Sequence, residues 1–143
     1  MELIKLNKNN LNDIVKIDNS AFAHCWGEQI FLEELNTNTR EYYGFVLDNI
    51  LVAYIGLDIV FENCDIIRVA VHKDFQNKGI AKKLLLEVFE KLKGKNITKI
   101  MLEVSCNNTY AIKLYESVGF NKIFERKNYY EDGSTALIFE LNI

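Results

Sequence analysis

The chain has 143 residues, 49% hydrophobic and 26% charged, with a formal net charge of −3. That length and balance fit one soluble globular domain over 1–143 with room for a real core. The mild negative charge argues against a general nucleic-acid binder, which carries a basic stripe, and no apolar run reaches the roughly 18 residues of a membrane span.

The opening "MELIKLNKNNLND" has no basic stretch followed by an apolar one, so no secretory signal is expected. Within it "ELIKL" reads as a first strand. "NNLNDIVKIDNSAF" reads as a helix, with Leu11, Ile14, Val15 and Asp18 to Phe22 at helical spacing. "GEQIFLEELN" gives a second short helix with Phe31, Leu32 and Leu35 on one side. Two strands follow around Asp48-Asn49, a hairpin-turn pair. "CDIIRVAVH" is rich in β-branched residues and reads as a central strand. "GIAKKLLLEVFEKLKG" is the clearest helix, with Leu84, Leu85, Val88 and Leu92 as its stripe and Gly94 as its stop. "ITKIMLEV" reads as a buried strand, "NTYAIKLYESVG" as a helix capped by Asn108, and "FNKIFERKNYY" and "TALIFELNI" as two last strands. The order β-α-α-β-β-β-α-β-α-β-β predicts an α/β fold with a mixed sheet covered by helices.

Cys25, Cys64 and Cys106 are odd in number, widely spaced and form no CxxC pair, which fits a reducing cytoplasm. His24 and His72 fit no metal spacing, so no metal is expected. Cys106 has no evident base partner and reads as a small packing residue. Glu28, Glu33, Glu34 and Asp132 read as solvated acids, with attraction of a basic tail as their functional alternative.

Two stretches carry chemistry. In "IIRVAVHKDFQNKGIAKKLL" a strand leads through Gln76-Asn77-Lys78-Gly79-Ile80-Ala81 into a helix. Small residues at a helix start leave backbone N–H groups open to an anion, and the helix dipole favours one. The loop is neither a Walker A motif nor a dinucleotide fingerprint. In "LEVSCNNTYAIKLYESVGF" the alternation of "IMLEV" sets Ile100, Leu102 and Val104 on one face and Met101 and Glu103 on the other. Tyr115 shares a helix stripe with Ala111 and Val118. Each polar group has a structural reading, an ion-paired glutamate and a core tyrosine, beside a catalytic one.

Gln76-x-x-Gly79-x-Ala81 after a strand resembles the signature loop of the GCN5-related N-acetyltransferases (GNAT), and Asn108-x-x-Ala111-x-x-Leu114-Tyr115-x-x-x-Gly119-Phe120 resembles that superfamily's second signature. Within it, "LEVSCNNTYAIKLYESVGF", "RKNYYEDGSTALIFEL" and Trp26 in "HCWGEQIF" are similar to the RimI-type ribosomal-protein alanine N-acetyltransferases. Cys25 and Gly27 stand where that family has proline and serine, and "GSTAL" replaces an acidic pair. Both departures fall where an acceptor would bind.

The resemblance implies a mixed, mostly antiparallel sheet of six or seven strands flanked by about four helices. It implies acetyl-CoA as cosubstrate, held by Gln76, Asn77, Lys78, Gly79, Ile80, Ala81 and Lys82 at its pyrophosphate, by the backbone of Val69, Ala70 and Val71 along its pantetheine, and by Asn108. It assigns Glu103 as general base and Tyr115 as the acid that protonates the thiolate. Trp26, Phe31, Tyr129 and Tyr130 are the candidates for the acceptor cleft, with packing as the alternative for each. The implied acceptor is the N-terminal amine of a small-subunit ribosomal protein, acetylated by a monomer or weak homodimer. Acetylation of a small amine and a non-catalytic acyl-CoA-binding module are the other readings. Glu103 and Tyr115 together speak against the module.

Overall fold

The computed structural model describes residues 1–143. In chain order the elements are β1 (Glu2–Lys5), α1 (Leu11–Ala21), α2 (Gly27–Leu35), β2 (Arg40–Leu47), β3 (Ile50–Val60), β4 (Asn63–Val71), α3 (Ile80–Gly94), β5 (Lys99–Ser105), α4 (Thr109–Ser117), β6 (Asn121–Arg126) and β7 (Ala136–Asn142). This is the expected succession, with two added 3₁₀ turns at Lys8–Asn10 and Lys73–Phe75. The hairpin turn between β2 and β3 falls at Asp48 and Asn49, whose φ angles of 50° and 65° are the left-handed pair that a two-residue turn requires.

The seven strands form one sheet in the order β1-β2-β3-β4-β5-β7-β6. Every neighbouring pair is antiparallel except β4 and β5, which the crossover through α3 makes parallel. α3 covers one face. Its Leu84, Leu85, Val88 and Leu92 are fully buried against Phe45, Ile55, Leu57, Ile100 and Leu102. Burying each such side chain stabilises the fold by about 1.5–3 kcal/mol. α1 and α2 cover the other face, with Ile14, Ile17 and Phe31 buried against Tyr42, Tyr54 and Ala70. Gly56 is required there, because a Cβ would lie 2.6 Å from the Tyr42 ring.

One break in the sheet positions the site. β4 and β5 pair only at Asn63–Lys99, Cys64–Ile100 and Asp65–Met101. On the other edge of β4, Leu57 pairs with Ile66 and Gly56 with Arg68, so Ile67 is an extra residue in a β-bulge. A bulge bends its strand and raises its twist. It falls just past the last β4–β5 pair, and beyond it the two strands part.

Candidate active site

The gap between the parted strands opens into a cleft of about 360 Å³. Val69, Ala70 and Val71 form one wall, the loop of Gln76, Asn77, Gly79, Ile80 and Ala81 a second, and Asn108 and Tyr115 a third. Of the cofactor residues expected from the sequence, only Lys78 and Lys82 lie off this lining, and both are exposed. The cleft is mainly apolar, and Ala21 and Phe22 of α1 and its exit close its side.

Polar groups of the backbone meet in this cleft. Asn77 and Gly79 have φ angles of 63° and 76°, so the loop coils tightly before α3. No backbone or side-chain acceptor takes the N–H groups of residues 77–82. Consecutive free N–H groups ahead of a helix dipole form a concave anion site. The Gln76 side chain donates to the Val71 carbonyl at 2.9 Å and ties the loop to the end of β4. His72 donates to Val52 on β3 at 2.8 Å. Strand alternation then turns the N–H groups of Val69 and Val71 to the opposite edge, toward the gap.

Tyr115 reaches the gap from α4. Its ring packs edge-on to Phe120 at 5.7 Å in the α3-side core, and its hydroxyl makes no hydrogen bond within the protein. Burial pushes its pKa up to about 12. The hydroxyl is therefore a permanent donor with no internal partner. Asn108 caps α4, with Oδ1 accepting from the Ala111 N–H at 3.1 Å. Its amide NH₂ has no acceptor in the protein, and Asn108 is among the residues that line the cleft.

Glu103 lies across the sheet from Tyr115. Ile100, Leu102 and Val104 are buried in the α3-side core, so alternation sends Glu103 to the face of α1 and α2. The residue is exposed and forms no ion pair, which removes the paired structural glutamate as an explanation. The Tyr130 hydroxyl donates to Glu103 Oε1 at 3.4 Å. Burial, and after it the Glu103 charge, pushes Tyr130 up to about 12, so it too stays protonated. Tyr115 thus lines the cleft, while Glu103, past the last β4–β5 pair, stands on the opposite face of the sheet and outside the cleft lining.

Several expectations change. Phe31 is fully buried against Tyr42 and Tyr54 and offers no surface to an acceptor; it takes the packing alternative. Tyr129 is 49% exposed, edge-on to Tyr130, with the Arg126 guanidinium 5.7 Å from its ring. Trp26 is half-buried and stacks at 5.3 Å on Phe31. Glu34 is not a solvated acid: it accepts from Tyr42 at 2.8 Å and pairs with Arg40 at 3.2 Å. Asp132 is exposed, as expected of a solvated acid, and it also caps its own turn through the Ser134 N–H at 2.9 Å. Cys106 is exposed and packs in no core.

Sequence reasoning missed one cluster. Asp18, on the buried stripe of α1, is 0% exposed. It accepts from the Tyr54 hydroxyl at 2.5 Å, from Arg68 at 2.7 and 3.2 Å, and from the Trp26 N–H at 3.0 Å. An acid at an apolar position of an amphipathic helix was the available signal, but its partners lie 36 and 50 residues away.

The profile of the acetyltransferase (GNAT) family matches residues 11–120. A [ribosomal protein bS18]-alanine N-acetyltransferase of Haemophilus ducreyi is 35% identical over 125 residues, which are 86% of this chain and 86% of that protein. Its namesake from Escherichia coli K12 is 32% identical over 132 residues, 89% of this chain and 87% of that one. The crystal structure of the ribosomal-protein-S18-alanine N-acetyltransferase from Escherichia coli superposes with a TM-score of 0.92 at 28% identity, covering 99% of this chain and 93% of that one.

Proposed function

The chain belongs to the acetyltransferase (GNAT) family, and from that premise we propose that it moves the acetyl group of acetyl-CoA to the N-terminal alanine of ribosomal protein bS18. Residues 1–143 act in this as one catalytic domain. One observation carries the reading: a proton donor with no internal partner, Tyr115, lines the cleft, and a carboxylate in no ion pair, Glu103, lies on β5 beyond its last pair with β4, on the opposite face of the sheet.

The cosubstrate enters on the side of α3 and α4. Its pyrophosphate sits on the open N–H groups of residues 77–82, with Lys78 and Lys82 adding charge at the rim. Its pantetheine runs along β4 as an added strand, bonded by the N–H groups of Val69 and Val71 that β5 leaves free. One of these N–H groups receives the thioester oxygen as it becomes an oxyanion. The Asn108 amide holds the arm from the α4 side.

The acceptor enters on the side of α1 and α2, past Trp26, Tyr129 and Tyr130. Glu103 takes a proton from the amine, directly or through one water. An α-amine has a pKa of about 8, so its deprotonation at pH 7 costs about 1.4 kcal/mol, against about 4.6 for a lysine amine. An exposed carboxylate suits the first task better than the second. The free amine attacks the thioester carbonyl, the tetrahedral adduct collapses, and the C–S bond breaks. Tyr115 then donates to the departing sulfur, and the second proton leaving the acylated nitrogen returns to the tyrosinate through water. No acetyl-enzyme forms, because the two substrates meet in the gap itself.

Incubation with acetyl-CoA, peptides bearing N-terminal alanine or an internal lysine, and small amines, followed by mass spectrometry, tests the proposal. Acetylation of the N-terminal alanine of a bS18-sequence peptide is expected. Turnover on small amines alone would replace this reading with the small-amine one.

A further inference from the structure

The buried Asp18 cluster has no part in the steps above, yet it sits beside them. Arg68 lies between the bulge at Ile67 and the cleft wall that begins at Val69. Its guanidinium is held by Asp18 below, at 2.7 and 3.2 Å. It lies 4.0 Å from the ring centroid of Phe22 and 4.6 Å from that of Trp26. One nitrogen also donates to the His24 carbonyl at 3.0 Å. Asp18 itself takes the Trp26 N–H at 3.0 Å. The contacts to Phe22, His24 and Trp26 tie β4 and α1 to the segment 22–26 that joins α1 to α2. That segment has no regular structure of its own, and Phe22 is in the cleft lining.

We propose that Arg68, anchored by Asp18 and Tyr54, is a positioning residue for the acceptor: it clamps segment 22–26, and Trp26 with it, at a fixed distance from the parted end of β4. The inference rests on the acetyl-transfer reading for its kinetic part only. A planar fork suits this task, since it can bond a carboxylate at its edge while its face stacks on aromatic rings. Lysine can do only the first of these. Of the clamped residues Phe22 also lines the cleft and Trp26 does not, and the open N–H groups of residues 77–82 make none of the clamp's contacts.

The test compares the wild-type protein with Arg68→Met, Arg68→Lys and the pair Asp18→Asn/Arg68→Met, which removes both buried charges. Trp26 is the chain's single tryptophan, so its fluorescence reports on the clamped segment alone. Arg68→Met should raise KM for the N-terminal-alanine peptide about tenfold, with KM for acetyl-CoA changed by no more than about twofold. Acrylamide should quench Trp26 more readily in this variant. Arg68→Lys should lie between it and wild type. If Arg68→Met does not fold, the double variant carries the same comparison. Equal rises in both KM values, or Trp26 quenching unchanged in every variant, would overturn the clamp. If the wild-type protein acetylates no N-terminal amine, the functional reading fails separately, and the quenching comparison still decides the clamp.

Discussion

The two sides of the strand gap are built by different means. On the side of α3 and α4, a few consecutive residues do the work: a coiled loop with open N–H groups, a strand end with free donors, and a capped helix. Specificity there comes from the backbone, and side chains mostly stay out of the way. On the side of α1 and α2, the surface is assembled from single side chains of distant segments: Asp18, Trp26, Tyr54, Arg68, Glu103 and Tyr130. A backbone-made site accepts a constant ligand and tolerates much change around it. A side-chain-made site can be retuned by one substitution, which suits the half that has to recognise one acceptor among many.

This contrast can be broken first at the gap itself, where both halves meet. Tyr115→Phe should lower kcat by ~10²–10⁴-fold, the range for one general acid, while affinity for acetyl-CoA stays constant by calorimetry. Glu103→Gln should lose turnover most at low pH, where more of the amine is protonated, and a pH–rate profile in kcat/KM reads this. Unchanged rates in both variants would remove the acid–base assignment.

Effects confined to the backbone-made half should be smaller and should appear in cosubstrate binding. Gly79 has a φ of 76° with open space around it, so a methyl group meets no atom and the only penalty is conformational. Gly79→Ala should cost about 1–2 kcal/mol in the loop and weaken acetyl-CoA binding accordingly, with the acceptor KM untouched. A matching rise in acceptor KM would show that the two halves are not separable.

The smallest effect is expected at Asn108. Loss of its cap on α4 in Asn108→Ala should reduce stability by about 1 kcal/mol, seen as a lower denaturation midpoint. Weaker cosubstrate binding on top of that would assign its free NH₂ to the pantetheine arm; unchanged binding would leave it as a cap alone.

How legible each half was follows from the same distinction. The Gln76 to Ala81 loop, the Asn108 cap and the place of Tyr115 are local patterns, and a contiguous stretch of sequence carries each of them. The face of Glu103 was legible from alternation, since its neighbours Leu102 and Val104 are buried and it is not. Phe31 was not legible as a core residue, because an aromatic on a short helix reads alike as packing or as a binding surface. The pairing of Glu34 is hidden for a related reason: its partners Tyr42 and Arg40 come from the following strand.

The order of elements, the hairpin at Asp48-Asn49, the small-residue start of α3 and the family can all be read from the chain without its fold. All of these rest on short-range periodicity, turn chemistry and motif spacing. The folded arrangement alone sets where β4 and β5 part, puts Tyr115 and Glu103 on opposite faces of the sheet, and brings Asp18 to Arg68 and Tyr54. Those features depend on strand register, with β4–β5 pairing ending at Asp65–Met101 just before the bulge at Ile67. They depend equally on contacts across 27 to 50 residues of chain, which no local pattern encodes.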